Sequence, residues 1–149
     1  MLENVRIDDI LFLDIETTPK VSHFSKLDAY EQELWEEKRG KHRTEEDTVE
    51  DFYFNNAGIF AEFGKIICIS VGYTISTGMF QEFELKSFYG DDEAKLLTEF
   101  NTFLYQQIKK KKSLSLCGHN IREFDVPYMC RRLLINNLKL PDYFENLQT

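Results

Sequence analysis

No apolar stretch in this chain of 149 residues approaches the roughly 20 residues that a membrane-spanning helix needs, so a transmembrane protein is not expected. The N-terminal residues Met1–Asn4 lack a basic segment followed by an apolar core, and we therefore expect no secretory signal peptide. Internal repeats are also absent from the sequence. These absences leave a globular protein with no membrane partner as the first expectation.

Cysteine is scarce, with three residues, Cys68, Cys117 and Cys130. Their number is odd and none of them forms a CxxC motif, which argues against a disulfide framework and against a zinc site. All three lie in apolar strand or helix patterns. We therefore predict reduced, buried thiols in a cytoplasmic protein.

A surplus of basic charge is also missing, because 26 acidic residues outnumber 18 lysines and arginines and give a net charge of -8. This balance argues against broad electrostatic binding to nucleic acid, which normally uses a basic face. The acidity is uneven, since residues 21–62 hold 11 acidic and 5 basic side chains. One segment therefore supplies most of the net charge.

The composition that is present, 42% hydrophobic and 14% aromatic, is that of one folded domain with a buried core. The apolar pattern predicts a strand at about residues 8–15 and a β-hairpin formed by Lys65–Ile75 and Met79–Tyr89. Residues 20–62 have no strand pattern and are too long for a hairpin loop, so we predict an acidic insertion there. Within it, Lys26–Arg39 has the apolar spacing of a helix.

The second half of the chain alternates between helical and strand patterns. A helix capped by Asp91-Asp92 is predicted to run to about residue 109, before a short strand at Ser113–Cys117 and a helix that has Pro127 in its first turn. The basic run Lys109–Lys112 fits the negative end of the helix dipole, and a contact with phosphate is the second interpretation. The order of elements predicts an α/β fold.

Asp14 and Glu16 follow the apolar run Ile10–Leu13 and are the most informative residues of the chain. Side chains alternate along a strand, so the two carboxylates point to the same face. A divalent cation with oxygen ligands would compensate two carboxylates at the end of a buried strand. Carboxylates that simply face water at a strand end are the alternative.

A second polar motif, Gly118–Tyr128 (GHNIREFDVPY), lies between the short strand and the last long helix, where ligand sites of α/β sheets gather. Taken alone, Asp125 is also compatible with a cap near a helix N-terminus, Asn120 with a turn, and His119 with a core or surface histidine. The motif by itself therefore leaves these alternatives open.

Together, the order LFLDIET, β-hairpin, helix, strand and GHNIREFDVPYM resembles the DEDD superfamily of 3′-5′ exonucleases. The likeness is greatest to the proofreading exonuclease domain of family B DNA polymerases and to related stand-alone bacterial exonucleases. The family's Asp-x-Glu motif is matched by Asp14 and Glu16, and its Asn-x-x-x-Phe-Asp motif by Asn120, Phe124 and Asp125. The resemblance implies a ribonuclease H-like mixed sheet with flanking helices.

The resemblance also implies a function, which is hydrolysis of phosphodiester bonds at the 3′ end of nucleic acid, more readily single-stranded DNA, with two Mg²⁺ or Mn²⁺ ions. Asp14, Glu16 and Asp125 are the implied catalytic residues and metal ligands. The residues implied to hold the terminal nucleotides are Thr17, Thr18, Asn120 and Phe124.

The family's third motif, a Tyr or His followed by a final Asp, has no counterpart after Asp125. We therefore expect a fold that is incomplete at its C-terminal end and a chain that associates with itself through the sheet edge left open. The missing carboxylate makes a catalytically silent nucleic-acid-binding or interaction module the alternative function. A metal-independent acid and base pair, as in glycoside hydrolysis, is a more distant one.

Overall fold

The computed structural model describes residues 6–111 and 113–145. It contains one four-stranded sheet among these residues. The strands stand in the order β3-β2-β1-β4, with β1 and β4 parallel and β2 and β3 antiparallel. Their bounds are Ile10–Pro19 (β1), Gly64–Thr77 (β2), Phe80–Tyr89 (β3) and Ser115–Cys117 (β4). The expectations for Met1–Asn4 and Lys112 lie outside the described residues.

Five α-helices accompany these strands in the described part of the chain. Their bounds are Ala29–Arg39 (α1), Val49–Asn56 (α2), Glu93–Lys110 (α3), Asp125–Ile135 (α4) and Asp142–Glu145 (α5). The predicted α/β class, with a mixed sheet and flanking helices, is therefore confirmed.

The alternation of β1 follows the sequence pattern. Leu11, Leu13 and Ile15 are buried, whereas Asp14 and Glu16 between and beyond them are exposed. Burial of every second side chain fixes the register of a strand, because a slip of one residue would bring both carboxylates into the core. The strand ends at Pro19, which cannot donate a ladder hydrogen bond.

The predicted hairpin is present as β2 and β3, joined at Gly78, whose φ of +68° belongs to the left-handed region that glycine readily adopts. On one face of the hairpin, Phe88 packs against Phe100 and Phe103 of α3, with ring centroids 5.7 and 5.5 Å apart. Helix α3 begins after Asp92, whose side chain accepts a hydrogen bond from the backbone of Lys95, as predicted.

The chain divides into two compact units, one made of Thr17–Lys65 and the other of the residues before and after that segment. The predicted insertion at 20–62 falls within the first of these and contains no strand among its described residues. Trp35 is fully buried at its centre, and the rings of Tyr53 and Phe63 lie edge-on to it at 5.1 and 5.0 Å. The insertion thus has an aromatic core of its own.

Several details of the sequence predictions are wrong. Helix α1 begins at Ala29 rather than Lys26, because Asp28 caps it by accepting a hydrogen bond from the Glu31 backbone. Tyr30, which belongs to the apolar spacing of the predicted helix, is 70% exposed. The predicted buried thiols are not buried, since Cys117 is exposed and Cys68 and Cys130 are intermediate; all three are free.

Within the described residues, no helix has the length and hydropathy to cross a membrane.

Candidate functional site

Two segments that are far apart in the chain meet in one cleft of about 540 Å³. Strand β1 contributes Asp14 and Ile15, the loop after β4 contributes His119, Asn120 and Phe124, and the first residue of α4 contributes Asp125. The parallel pairing of Phe12 with Cys117 explains this meeting, because the chain that leaves β4 after Cys117 emerges beside Leu13 and Asp14 of β1. Ligand sites of α/β sheets form at such carboxyl-terminal edges.

Gly118 allows the loop to approach β1 closely. A Cβ atom at this position would lie 2.4 Å from the carbonyl oxygen of Leu13 and 3.2 Å from a methyl carbon of Ile121. No other residue type fits that space without movement of backbone. The glycine therefore holds the loop beside Asp14, the residue that follows Leu13.

Asn120 reverses the chain before α4. Its φ is +52°, a left-handed conformation that Asn tolerates better than most residues. Its carbonyl oxygen accepts hydrogen bonds from the backbone N–H groups of Glu123 and Phe124, both at 3.0 Å. The turn carries the chain directly into Asp125, the first residue of α4.

Asp125 is 4% exposed, and its Oδ1 accepts a hydrogen bond from the backbone N–H of Ile15 at 3.2 Å. Burial raises the pKa of this carboxyl above its ordinary value of 3.8, and the nearby charge of Asp14 raises it further. The hydrogen bond from Ile15 and the proximity of His119 lower the pKa and offset part of this effect. A neighbouring positive charge would therefore stabilise the ionised form of the buried Asp125 carboxyl.

The structure brings together some of the predicted ligands and not all of them. Asp14 and Asp125 line the cleft; Glu16 is exposed on the same face of β1 as Asp14 but is not among the lining residues. Among the described residues, no group of three or more His, Cys, Asp or Glu side chains is arranged to hold a metal ion. The structure therefore brings together two of the three predicted carboxylate ligands, Asp14 and Asp125.

The residues predicted to contact nucleic acid are divided as well. Asn120 and Phe124 line the cleft, and the Phe124 ring lies 5.4 Å from that of Tyr128, which is buried. Thr17 and Thr18 follow Glu16 on β1, are half-buried and belong to the compact unit Thr17–Lys65, whereas the cleft residues belong to the other unit. Their role stays a prediction.

His119 is the residue of the cleft that the sequence analysis did not select. Its position directly before Asn120 was the available signal, because the loop that follows a parallel strand faces the site as a whole. A lone histidine offers no periodicity by which to distinguish this role from a surface position.

Comparisons with models of known protein families, with curated proteins and with solved structures found nothing that matches this chain.

Proposed function

We propose that the chain is a metal-dependent 3′-5′ exonuclease domain with a ribonuclease H-like fold, acting on the 3′ end of DNA. The observation that supports this function is the meeting of Asp14 and Asp125 in one open cleft, where the carboxyl end of β4 lies beside the middle of the parallel strand β1. These are the first residue of one motif and the last residue of the other. The two motifs were selected from sequence separately, and the fold joins them.

The donor chemistry of the cleft fits a divalent cation. Asp14 is exposed and offers carboxylate oxygens to solvent, and Asp125 is a buried carboxylate with a raised pKa. Mg²⁺ is held in proteins by one or two carboxylates together with water molecules, so two convergent aspartates are enough for a first ion. We propose Asp14 and Asp125 as its ligands, with Glu16 adding a carboxylate from the same strand face.

When bound, two divalent ions would supply an activated water, neutralise phosphate charge and stabilise the leaving oxygen. The chain itself orients the groups around them. The N–H of Ile15 donates to Oδ1 of Asp125 and so fixes the orientation of this carboxylate in the cleft. The Phe124 ring and the Asn120 side chain, which line the cleft, would hold an unpaired terminal nucleotide, since stacking on an aromatic ring is tolerant of base identity.

The first experiment is a calorimetric titration of the whole chain with Mn²⁺ alone, beside the Asp14→Asn variant. We expect saturable binding by the wild type and its loss in the variant, because Asp14 is the exposed donor of the pair. Glu99→Gln, which removes an exposed carboxylate of α3 away from the cleft, is the matched control and should bind as the wild type does.

The activity is tested with a 5′-labelled single-stranded oligonucleotide and Mg²⁺ or Mn²⁺. Shortening from the 3′ end by the wild type, with loss of at least about 10²-fold in Asp14→Asn and in Asp125→Asn, would support the proposal, since removal of a metal ligand removes most of the electrostatic stabilisation. Metal-independent cleavage that survives both substitutions would contradict it and favour acid and base catalysis.

A second candidate is a nucleic-acid-binding module that does not cleave. The observation that favours it is the convergence of only two metal-binding side chains among the described residues. It predicts that the chain binds a 3′ end through Asn120 and Phe124 while no metal and no cleavage are detected. Binding that is lost in Phe124→Ala, without any turnover by the wild type, would select this candidate.

A further inference from the structure

Strand β3 forms an edge of the sheet, and its long outer side is open. It pairs with β2 over ten residues, from Phe80 to Tyr89, and has no strand neighbour on its other side among the described residues. Nine of its ten residues are exposed, Phe88 being the exception. An edge of this length presents a row of backbone groups that can pair with another strand.

The two faces of β3 differ in character. The face that α3 covers carries every second side chain of the strand, namely Glu84, Lys86 and Phe88. On this face the Lys86 ammonium lies 4.8 Å from the centre of the Phe88 ring. Phe83 and Leu85 lie on the opposite face and are 56% and 79% exposed. The edge therefore has charged groups on one face and a large apolar pair on the other.

Gly72 of β2 explains why this apolar pair lies flat on the sheet. A Cβ atom there would lie 2.6 Å from Cζ of Phe83 and 3.3 Å from Cδ2 of Leu85. The Phe83 ring also lies edge-on to Phe12 of β1, at 5.8 Å between centroids. The pair thus rests on the sheet on one side and is open to solvent on the other, and contiguous exposed apolar surface can mark an interaction site.

We propose that two copies of this chain associate by antiparallel pairing of their β3 strands, centred on Leu85. In this register Glu84 of each copy lies opposite Lys86 of the other, and Leu85 lies opposite Leu85. Opposite charges directly across a strand pair are stabilising, and like charges are destabilising. The Glu84-Leu85-Lys86 sequence is therefore complementary to itself about a two-fold axis, as an isologous dimer requires.

Neighbouring registers are less complementary. Centring on Glu84 places Glu82 opposite Lys86 twice but also brings two glutamates opposite each other at the centre, centring on Phe83 places Glu82 opposite Glu84 twice, and centring on Lys86 places two lysines together. The favoured register also joins Phe83 and Leu85 of both copies in one apolar strip on the face opposite α3. Strand β4 is a weaker candidate for this contact, since it spans three residues where β3 spans ten.

The test is the oligomeric state of the whole chain, measured by sedimentation over a wide range of concentration at about 0.15 M salt. We expect a monomer–dimer equilibrium for the wild type. Glu84→Lys and Lys86→Glu each convert two attractive contacts into two repulsive ones. Each should therefore raise the dissociation constant of the dimer by at least about tenfold. Glu99→Lys, an equal change of charge on α3, should leave the equilibrium unchanged.

Complementation makes the test specific. An equimolar mixture of Glu84→Lys and Lys86→Glu should form a heterodimer, because each repulsive contact again becomes attractive, and the double variant should form a homodimer. Circular dichroism verifies that each variant is folded. A wild type that stays monomeric at every concentration, or a dimer that is unaffected by both single reversals, would overturn the proposal. In the first case the charges protect the edge from association.

Discussion

At the scale of single residues, the most consequential one is Asp125, because its burial opposes the ionised form that the proposed role as a metal ligand requires. A carboxyl whose pKa is raised in the folded state holds its proton more tightly there than in the unfolded chain. The free energy of unfolding therefore decreases as the pH rises from about the ordinary value of 3.8 through the raised pKa. Without metal, the ionised form of Asp125 is a cost at neutral pH.

We therefore predict that Asp125→Asn raises the melting temperature of the metal-free chain at neutral pH. The amide has almost the same shape and keeps an oxygen that accepts the N–H of Ile15, while the buried charge is removed. The gain should disappear below the ordinary pKa, where the wild-type carboxyl is protonated as well. Thermal melts at several pH values, with Asp91→Asn as the exposed control, measure the difference. A variant that is less stable than the wild type at neutral pH would contradict this account.

Gly118 supports a prediction about packing. Gly118→Ala forces a methyl group against the carbonyl oxygen of Leu13, and overpacking of this kind costs roughly 1–3 kcal/mol of unfolding free energy. The displaced loop should also weaken Mn²⁺ binding, because it leads directly into Asp125, the first residue of α4. Gly40→Ala is the matched control, since the added methyl meets only the flexible carboxylate of Glu36. Urea denaturation and calorimetry of both variants separate the two effects, and equal behaviour of the two would count against the role assigned to Gly118.

At the scale of elements, a buried ion pair joins α3, α4 and the start of β2. Glu93 accepts two hydrogen bonds from the Arg132 guanidinium, at 2.9 and 2.5 Å, and one from the N–H of Ile66 at 2.7 Å. Both side chains are less than a tenth exposed. Burial opposes ionisation of Glu93, but these hydrogen bonds outweigh it, so the pKa of the carboxyl lies below its ordinary value of 4.5.

Arg132→Met should destabilise the chain by about 3–5 kcal/mol, because it leaves a carboxylate buried without its charged partner. Adding Glu93→Gln should recover part of the loss, since the amide oxygen still accepts from Ile66. Lys95→Met, which removes an exposed pair with Glu99, should cost less than about 1 kcal/mol. The wild-type stabilisation should be present above pH 4.5 and lost as the pH falls through the lower folded pKa. Equal losses in the Arg132 and Lys95 variants would contradict the argument.

The elements that could be predicted from sequence are those whose burial imposes a clear period. The alternation around Asp14 gave β1, and the helical spacing of Leu97, Phe100 and Leu104 gave α3. Helix α2 is hard to recognise in the sequence, because it begins at Val49 within a highly charged part of the acidic insertion. Its buried residues, Phe52 and Tyr53, pack on Trp35 and form no periodic stripe of their own.

The candidate site was predictable only in its residue types. Asp14 and Asp125 were identified as partners, yet the close approach at Gly118 and the place of His119 depend on how β4 pairs with β1, a contact between distant segments. The exposure of Cys117 depends on the same fact, since β4 is an edge strand and its three residues are only partly covered. The periodicity of apolar residues predicts which face of a strand or helix is buried. It does not predict whether a strand lies at the edge or in the middle of the sheet.

At the scale of the whole molecule, the net charge of -8 limits how the chain can bind DNA. Binding through many phosphates needs a basic face and releases many counterions, whereas binding through a cleft with a metal ion contacts one or two phosphates. The slope of log K against log salt for a single strand is about -0.7 for each phosphate neutralised. The proposed site therefore predicts a slope no steeper than roughly -1.5, which corresponds to two phosphates.

The measurement is the anisotropy of a labelled single strand with phosphorothioate linkages at its 3′ end, titrated with Mn²⁺ present at several KCl concentrations. Lys109 and Lys110, in the last turn of α3, provide the internal test. If they serve the helix dipole, Lys109→Gln with Lys110→Gln should leave the slope unchanged; if they contact phosphate, the slope should become shallower by about 0.7 for each lysine. A wild-type slope of about -4 or steeper would mean roughly six phosphate contacts. A cleft of about 540 Å³ cannot provide that many, so the result would place the DNA-binding surface elsewhere.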